Sequence, residues 1–230
     1  MWITKVQPIA VHEKRIPPGE RKASDRNSSP RTSILQATID LYREIGHSKT
    51  TVGDIARRCT MSPANVYRFF RSKQAIEEAV VAELFEAEFQ ELANVERGCG
   101  TPLSRLEAIL RTLSQLQERR LASDGRLNEL VAVATNANWP VVLGHVARIV
   151  GLMAPIISAG QARGEIRDGR AAALASCLLA AMNTHVMARE LRGESLRPSF
   201  DEMADFCVKA LCRPPSRQSE QSSRRSVDQR

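Results

Sequence analysis

Aromatic residues are few, 4% of 230, and cysteines number only five. Cys59, Cys99, Cys177, Cys207 and Cys212 are odd in number and scattered, with no CxxC pair and no histidine at zinc-ligand spacing. That excludes a disulfide framework and a structural zinc site, and predicts reduced thiols. Cys177 and Cys207 fall in apolar helical patterns, where a thiol acts as a small buried hydrophobe. No run approaches about 18 uninterrupted apolar residues, and the stretch MWITKVQPIAVHEKRIPPGERK lacks the apolar segment of a secretory signal. Neither membrane insertion nor export is expected, and the expected location is the cytoplasm. Alternation of Val, Ile and Thr over short runs is missing, which argues against strands. No nucleophile elbow, phosphate loop, HExxH or triad pattern is found, so an enzyme, a cofactor and a metal are not expected.

What is present is a charge imbalance. Net charge is +7, but residues 1–31 hold seven Lys/Arg against three acids and residues 32–75 again seven against three, whereas residues 76–212 hold fourteen against eighteen. A basic front followed by a mildly acidic body suggests a polyanion partner for the front and something else for the rest. Residues 1–29, with Pro8, Pro17, Pro18 and Gly19 and no periodicity, predict a flexible basic arm. RPPSRQSEQSSRRSVDQR, residues 213–230, predicts a disordered tail for the same reason.

Between these ends apolar residues recur at three and four, and the chain reads as all-α with about nine helices. The first runs from Pro30 to Ile45 with Ile34, Ala37, Leu41 and Ile45 on one face and Gly46 as its stop. Thr51 and Asp54 resemble a capping box opening a second helix to about Arg58. Ser62 caps a third with Pro63 at its first position, and Ser72 caps a long fourth reaching about Val95. After the break RGCGTP, Leu103, Leu106, Leu110 and Leu113 stripe a fifth. A sixth spans about Arg126 to Asn136, a seventh Pro140 to Arg163, an eighth, opened by Asp168, reaches Arg192, and a ninth spans Ser199 to Cys212.

The stretch MSPANVYRFFRSK, Met61 to Lys73, gathers three aromatics and three cations into a chain otherwise poor in aromatics. The short second and third helices, joined by CTM, form a helix-turn-helix whose second member presents its N-terminal residues to a major groove. Ile55, Ala56, Val66 and Phe70 fall on inward positions, leaving Ala64, Asn65, Tyr67 and Arg68 outward, with Phe69 undecided. Asn pairs with an adenine edge, Arg with a guanine edge, and Ala64 allows approach to a thymine methyl. Tyr67 and Lys73 suit phosphates. The competing reading is an amphipathic core helix with solvated arginines.

TTVGDIARRCTMSPANVYRFFRSKQAI, Thr50 to Ile76, preceded by ILQATIDLYREIG, closely resembles the N-terminal domain of the TetR family of transcriptional regulators. The resemblance implies a helix-turn-helix domain over residues 30–76, its motif at about 51–70. A helical ligand-binding and dimerisation domain would follow over residues 77–212. It also implies a homodimer through helices eight and nine that binds double-stranded operator DNA. Carried onto this chain, the family's DNA-contacting positions are Thr51, Ser62, Pro63, Ala64, Asn65, Tyr67, Arg68, Phe69 and Lys73. Two departures stand out. Thr60 occupies the turn where the family usually has Gly, and must take a positive φ or a different turn. Gly53 occupies the second helix where many members carry a longer side chain, and cannot reach a base edge. The basic arm, with Lys14, Arg15, Arg21, Lys22, Arg26 and Arg31, either enters a minor groove or attracts phosphate non-specifically.

In the body, Pro155 removes an N–H and crowds the carbonyl of Gly151, predicting a kink that would open the body near Leu152, Met153 and Ile156. The resemblance places a small-molecule effector, its identity unknown, between helices of this region. Candidate lining residues are Leu106, Leu110 and Leu113 on the fifth helix, His145, Ile149, Leu152, Met153 and Ile156 on the seventh, and Met182 and His185 on the eighth. The small residues of GRAAALASCLLAAMN and the large ones of the ninth helix suit either a dimer interface or an intramolecular pair. A repressor released by an effector is the leading expectation. A DNA-binding regulator without an effector, its body serving dimerisation or protein docking, is the alternative.

Overall fold

The computed structural model describes residues 29–182 and 198–213, and these form nine α-helices with no strand. They are α1 (Pro30–Ile45), α2 (Val52–Arg58), α3 (Pro63–Phe69), α4 (Lys73–Glu96), α5 (Pro102–Ser123), α6 (Gly125–Asn136), α7 (Pro140–Ala162), α8 (Ala171–Ala181) and α9 (Phe200–Leu211). Local sequence explains most of the starts. Ser29, Ser62, Ser72 and Thr101 each accept the backbone N–H three residues on, and Thr51–Asp54 and Ser199–Glu202 are reciprocal capping boxes. Proline at the first turn of α1, α3, α5 and α7 supplies the right φ where no N–H is needed.

Three helix ends share one device. After α2, Thr60 N–H donates to Arg57 O (3.1 Å) and Met61 N–H to Ala56 O (2.9 Å). After α6, Asn138 and Trp139 donate to Thr135 and Ala134 in the same way, and after α7, Gly164 and Glu165 donate to Gln161 and Gly160. These are Schellman closures, each needing a left-handed residue at its centre, and Thr60, Asn138 and Gly164 sit at φ 55°, 51° and 72°. Thr60 thus takes the positive φ.

α1 buries two faces rather than one. Ile34 and Leu41 join Val52, Ile55, Val66 and Phe70 in the core of the helix-turn-helix, whereas Leu35, Ile39 and Tyr42 join residues of α4, α6 and α7 in a second core. Ile45, expected on the buried stripe, is exposed in the last turn, just before the chain leaves the helix at Gly46. The third core fills the body between α4, α5, α7, α8 and α9. α4 runs through all three, with Ile76 in the first, Val80, Val81 and Phe85 in the second and Leu92 in the third.

Three further expectations are corrected. Cys177, expected as a buried thiol, is exposed beside Ser176 on the outer face of α8. α8 begins at Ala171, not at Asp168. The preceding segment is pinned: Gln161 donates to the carbonyls of Arg167 and Gly169, and Ile166 pairs with Cys212 in an antiparallel bridge, so the chain cannot turn helical until Gly169 is passed. The opening expected around Pro155 is absent; α7 continues through it, with Met153 and Ile156 buried in the body core and Leu152 packed against it. The predicted extension of the eighth helix to Arg192, His185 with it, and the predicted arm and tail (apart from Ser29 and Arg213 at their borders) lie outside the described residues. α7 has the length and mean hydropathy (23 residues, 1.8) of a membrane-crossing helix. Here Arg148 and His145 tie it to Glu86 and Glu88 of α4.

Candidate nucleic-acid interface and body cavity

α3 is short, and the residues around it hold it in place. Val66 is fully buried and Phe70, at its C-cap, nearly so, with the Arg31 guanidinium over the Phe70 ring at 4.8 Å. With those two inward, Ala64, Tyr67, Arg68 and Phe69 face out; Tyr67 is 48% and Phe69 37% exposed, so Phe69 falls on the outer face. Ser62 and Pro63 are exposed at the helix start, where the Ser62 hydroxyl accepts from Asn65 N–H at 3.2 Å.

Three of the sequence-derived positions are more constrained than their types suggested. Asn65 is half-buried, its amide directed at the Met61 sulfur (3.8 Å). Thr51 is committed to its capping box: its hydroxyl donates to Asp54 at 2.6 Å and accepts from Asp54 N–H. The hydroxyl and the backbone N–H of Thr51, both donating to the Asp54 carboxylate, hold it below its usual range. Lys73 donates to the carbonyl of His47 (2.8 Å) and lies 3.5 Å from Glu77. Its ammonium is therefore fixed at the start of α4, beside the loop that follows α1. Arg57, exposed at the end of α2 and paired with Asp54 at 3.1 Å, and Arg71 before α4 were not singled out in the sequence, although their charge and position between capped helices were there to read.

The helix-turn-helix is fastened to the body at the C-terminal end of α1. Arg43 forms a bidentate pair with Asp124 (2.9 and 3.1 Å). Arg126, at the start of α6, donates to the carbonyls of Arg43 (3.0 Å) and Glu44. A cation here satisfies carbonyls that the helix leaves unpaired and favours the negative end of its dipole.

The body contains a narrow cavity between α4, α5, α6, α7 and α8. Its volume is about 20 Å³, room for roughly one water. Of the candidate lining residues, Leu113, His145 and Ile149 border it; Leu106, Leu110, Met153, Ile156 and Met182 are packed in the body core instead.

The polar part of this cavity is a buried cluster absent from the sequence reading. Glu88 accepts from Arg120 (2.9 Å) through one carboxylate oxygen and meets His145 Nε2 (3.1 Å) through the other. Arg120 also donates to Asn128 of α6 (3.2 Å). Burial is the largest influence on the Glu88 carboxyl and pushes its pKa up, but the His145 hydrogen bond and the Arg120 charge together outweigh it and hold the group ionised, below the ordinary carboxylate range. The Phe85 ring lies flat on His145, centroids 4.1 Å apart and planes 8° from parallel. Partners 32 and 57 residues from Glu88 could not be read locally. The signal that was readable is Glu88 itself, a carboxylate in line with Val81, Phe85 and Leu92 on the apolar stripe of α4.

Comparison with known proteins agrees with this architecture. Residues 34–80 match the family model for bacterial regulatory proteins of the tetR family, and residues 102–204 that for the tetracyclin repressor-like C-terminal domain. No curated protein sequence matches the chain. Among solved structures, a transcriptional regulator of the TetR/AcrR family from Thermobifida fusca YX-ER1 is 24% identical, with a TM-score of 0.57 over 81% of this chain and 98% of that one. RolR in complex with resorcinol is 16% identical (TM-score 0.58, 83% and 90% covered). AibR in complex with isovaleryl coenzyme A and operator DNA is 19% identical (TM-score 0.51, 81% and 100% covered). These likenesses speak for the fold. With both family models matched in order along one chain and nine helices arranged as described, the protein belongs to the TetR family of transcriptional regulators.

Proposed function

We propose that the protein is a cytoplasmic, non-enzymatic repressor that binds operator DNA as a homodimer through α2 and α3 and is released by a small-molecule effector in the body. The observation that carries the DNA-binding part is the outward face of α3: Ala64, Tyr67, Arg68 and Phe69 stand in solvent on a helix locked from behind by Val66 and Phe70. Arg68 and the partly shielded Asn65 serve base edges, Tyr67 and Ser62 face backbone phosphates, and Pro63, Thr51 and Lys73, the last two already engaged within the protein, lie beside the same backbone. The dimer would form through α8 and α9, where Ala172, Ser176 and Ala180 leave a low surface and Phe206 stands 65% exposed. A symmetric pair is what two half-sites one turn apart require. The division at residues 30–76 and 77–212 follows the same reading, and AibR offers the parallel of a protein solved with both an acyl-coenzyme A and operator DNA.

Fluorescence anisotropy with DNA from upstream of its own gene tests this. The intact protein should prefer that DNA to random sequence by at least about 10³-fold. Arg68→Ala should lower the preference, and binding to both DNAs should weaken steeply with salt. Equal affinity for the two DNAs would remove the reading.

The size of the cavity favours a second reading. At about 20 Å³ of usable space it is far below the roughly 300 Å³ or more of preformed ligand sites, as a regulator with no effector would have. Under that reading the body serves only dimerisation or protein docking, and operator affinity stays constant across a metabolite screen.

A further inference from the structure

The walls of the body cavity carry a specific imbalance of hydrogen bonding without an imbalance of charge. Its charged residues are Glu88 and Arg120, which face each other at 2.9 Å and cancel. Because the Glu88 carboxylate can only accept, His145 must donate to it from Nε2. In the uncharged imidazole that leaves Nδ1 as a bare acceptor, and Nδ1 is buried with no hydrogen-bond partner. Buried acceptors are rarely left so. No neighbouring polar side chain of the cavity supplies the donor: the Thr135 hydroxyl is spent on the carbonyl of Val131 (2.8 Å), and Arg120 is held by Glu88 and Asn128. The remaining wall is hydrocarbon, with Phe85 stacked on the imidazole and Leu113, Ile149 and Leu179 around it.

We infer that the effector is a small uncharged molecule with one hydroxyl on a hydrocarbon skeleton, its O–H donating to Nδ1 of His145. This rests on the reading of the cavity as an effector site. An ammonium would bring a charge that nothing in the enclosure balances, and a carboxylate could be balanced only by a proton taken up at His145; burying an unpaired ion is heavily penalised. The free space is too small to take such a molecule as it stands, so seating it parts the walls. Those walls belong to α4 (Phe85, Glu88) and α6 (Val131, Thr135) as well as to α5, α7 and α8. α4 and α6 are also the helices that hold α1, through the shared core and through Arg126. Occupancy therefore acts on the elements that position the helix-turn-helix, and the ligand shifts that equilibrium by its preference for the parted state.

The test uses one ring skeleton with four head groups on the intact protein: benzyl alcohol, benzoate, benzylamine and toluene, by calorimetry and thermal shift near neutral pH. Benzyl alcohol should bind at least tenfold more tightly than the other three, with no proton uptake when buffers of different ionisation enthalpy are compared. In protein labelled at histidine, the Nδ1 resonance of His145 should move as benzyl alcohol is added, a readout that needs no variant. His145→Phe, which keeps the stack, should lose the preference for benzyl alcohol over toluene. Tighter binding of benzoate, with one proton taken up, overturns the inference, as does equal binding of toluene or no binding by any of the four. If benzoate or benzylamine binds and loosens operator DNA, the effector reading stands and only this inference falls. If benzyl alcohol binds at His145 and leaves operator affinity unchanged, the site stands and the effector reading falls.

Discussion

Thr60 is the residue at which this chain departs most plainly from backbone preference. Of the three Schellman closures, Gly164 takes φ 72° freely, Asn138 takes 51° with little strain, and Thr60 takes 55° with a β-branched side chain. Left-handed backbone costs a non-glycine residue roughly 1–2 kcal/mol, part of which Gly would return as unfolded-state entropy. Thr60→Gly should therefore stabilise the protein by about 0.5–1 kcal/mol, seen as a higher Tm, whereas Asn138→Gly should change it by under about 0.5 kcal/mol. Glu88 is the other residue with a large individual stake. Glu88→Ala leaves Arg120 buried without its carboxylate, and should cost about 3–5 kcal/mol in chemical denaturation. Its pH signature has a definite sign. The folded pKa lies below the unfolded one, so the stabilisation is complete above about pH 4.3 and is lost as pH falls through the folded value. Glu88→Gln should flatten acid denaturation in that window, measured by helical circular dichroism against pH.

At the scale of elements, the helices divide into those whose ends are written in adjacent residues and those whose ends are imposed from elsewhere. α1 to α5 and α9 start at a Ser or Thr whose hydroxyl accepts an N–H three residues ahead, a pattern readable from the sequence because cap and donor lie in one turn. α8 has no side-chain cap, and its start depends on Gln161 and on the bridge between Ile166 and Cys212, which brings α9 alongside. Glycine within α7 shows the same division. A Cβ on Gly160 would lie 2.5 Å from Ile166 and 3.1 Å from Pro102, so Gly160→Ala overpacks a filled contact and should cost about 1–3 kcal/mol. On the same helix a Cβ on Gly144 meets nothing within 4 Å, and Gly144→Ala should gain up to about 1 kcal/mol from helix propensity. Thermal melts of the two variants, moving in opposite directions, check both.

For the whole molecule, the decisive feature is that the helix-turn-helix does not own all of α1. Leu35, Ile39 and Tyr42 belong to a core shared with α4, α6 and α7, and Arg43 and Arg126 tie the same region to the α5–α6 junction. Removing the body would expose that apolar face to water, including Tyr42, whose hydroxyl is pushed above its ordinary pKa by burial and by Glu77. The two parts should therefore unfold together. In a Trp2→Phe background, the fluorescence of Trp139, which packs on the shared core, and helical circular dichroism should give coincident transitions. Early loss of one signal would show the parts to be separable.

The sequence by itself determined the all-helical class, the capped starts of α2, α3 and α4, the charge division and most of the outward residue types of α3, because each depends on spacing within a few residues. It also exposed the conflict at Thr60, since a β-branched residue in a turn is visible without coordinates. Only the tertiary structure decided which faces of α1 are buried, where α8 begins, and that Lys73 and Thr51 are already engaged. It alone brought Glu88, Arg120 and His145 together beside a nearly filled cavity that Met153 and Ile156 do not border. The physical reason is range. A cap or a helical stripe is set by neighbours along the chain, whereas burial of a charge is set by partners that meet only when separate helices pack.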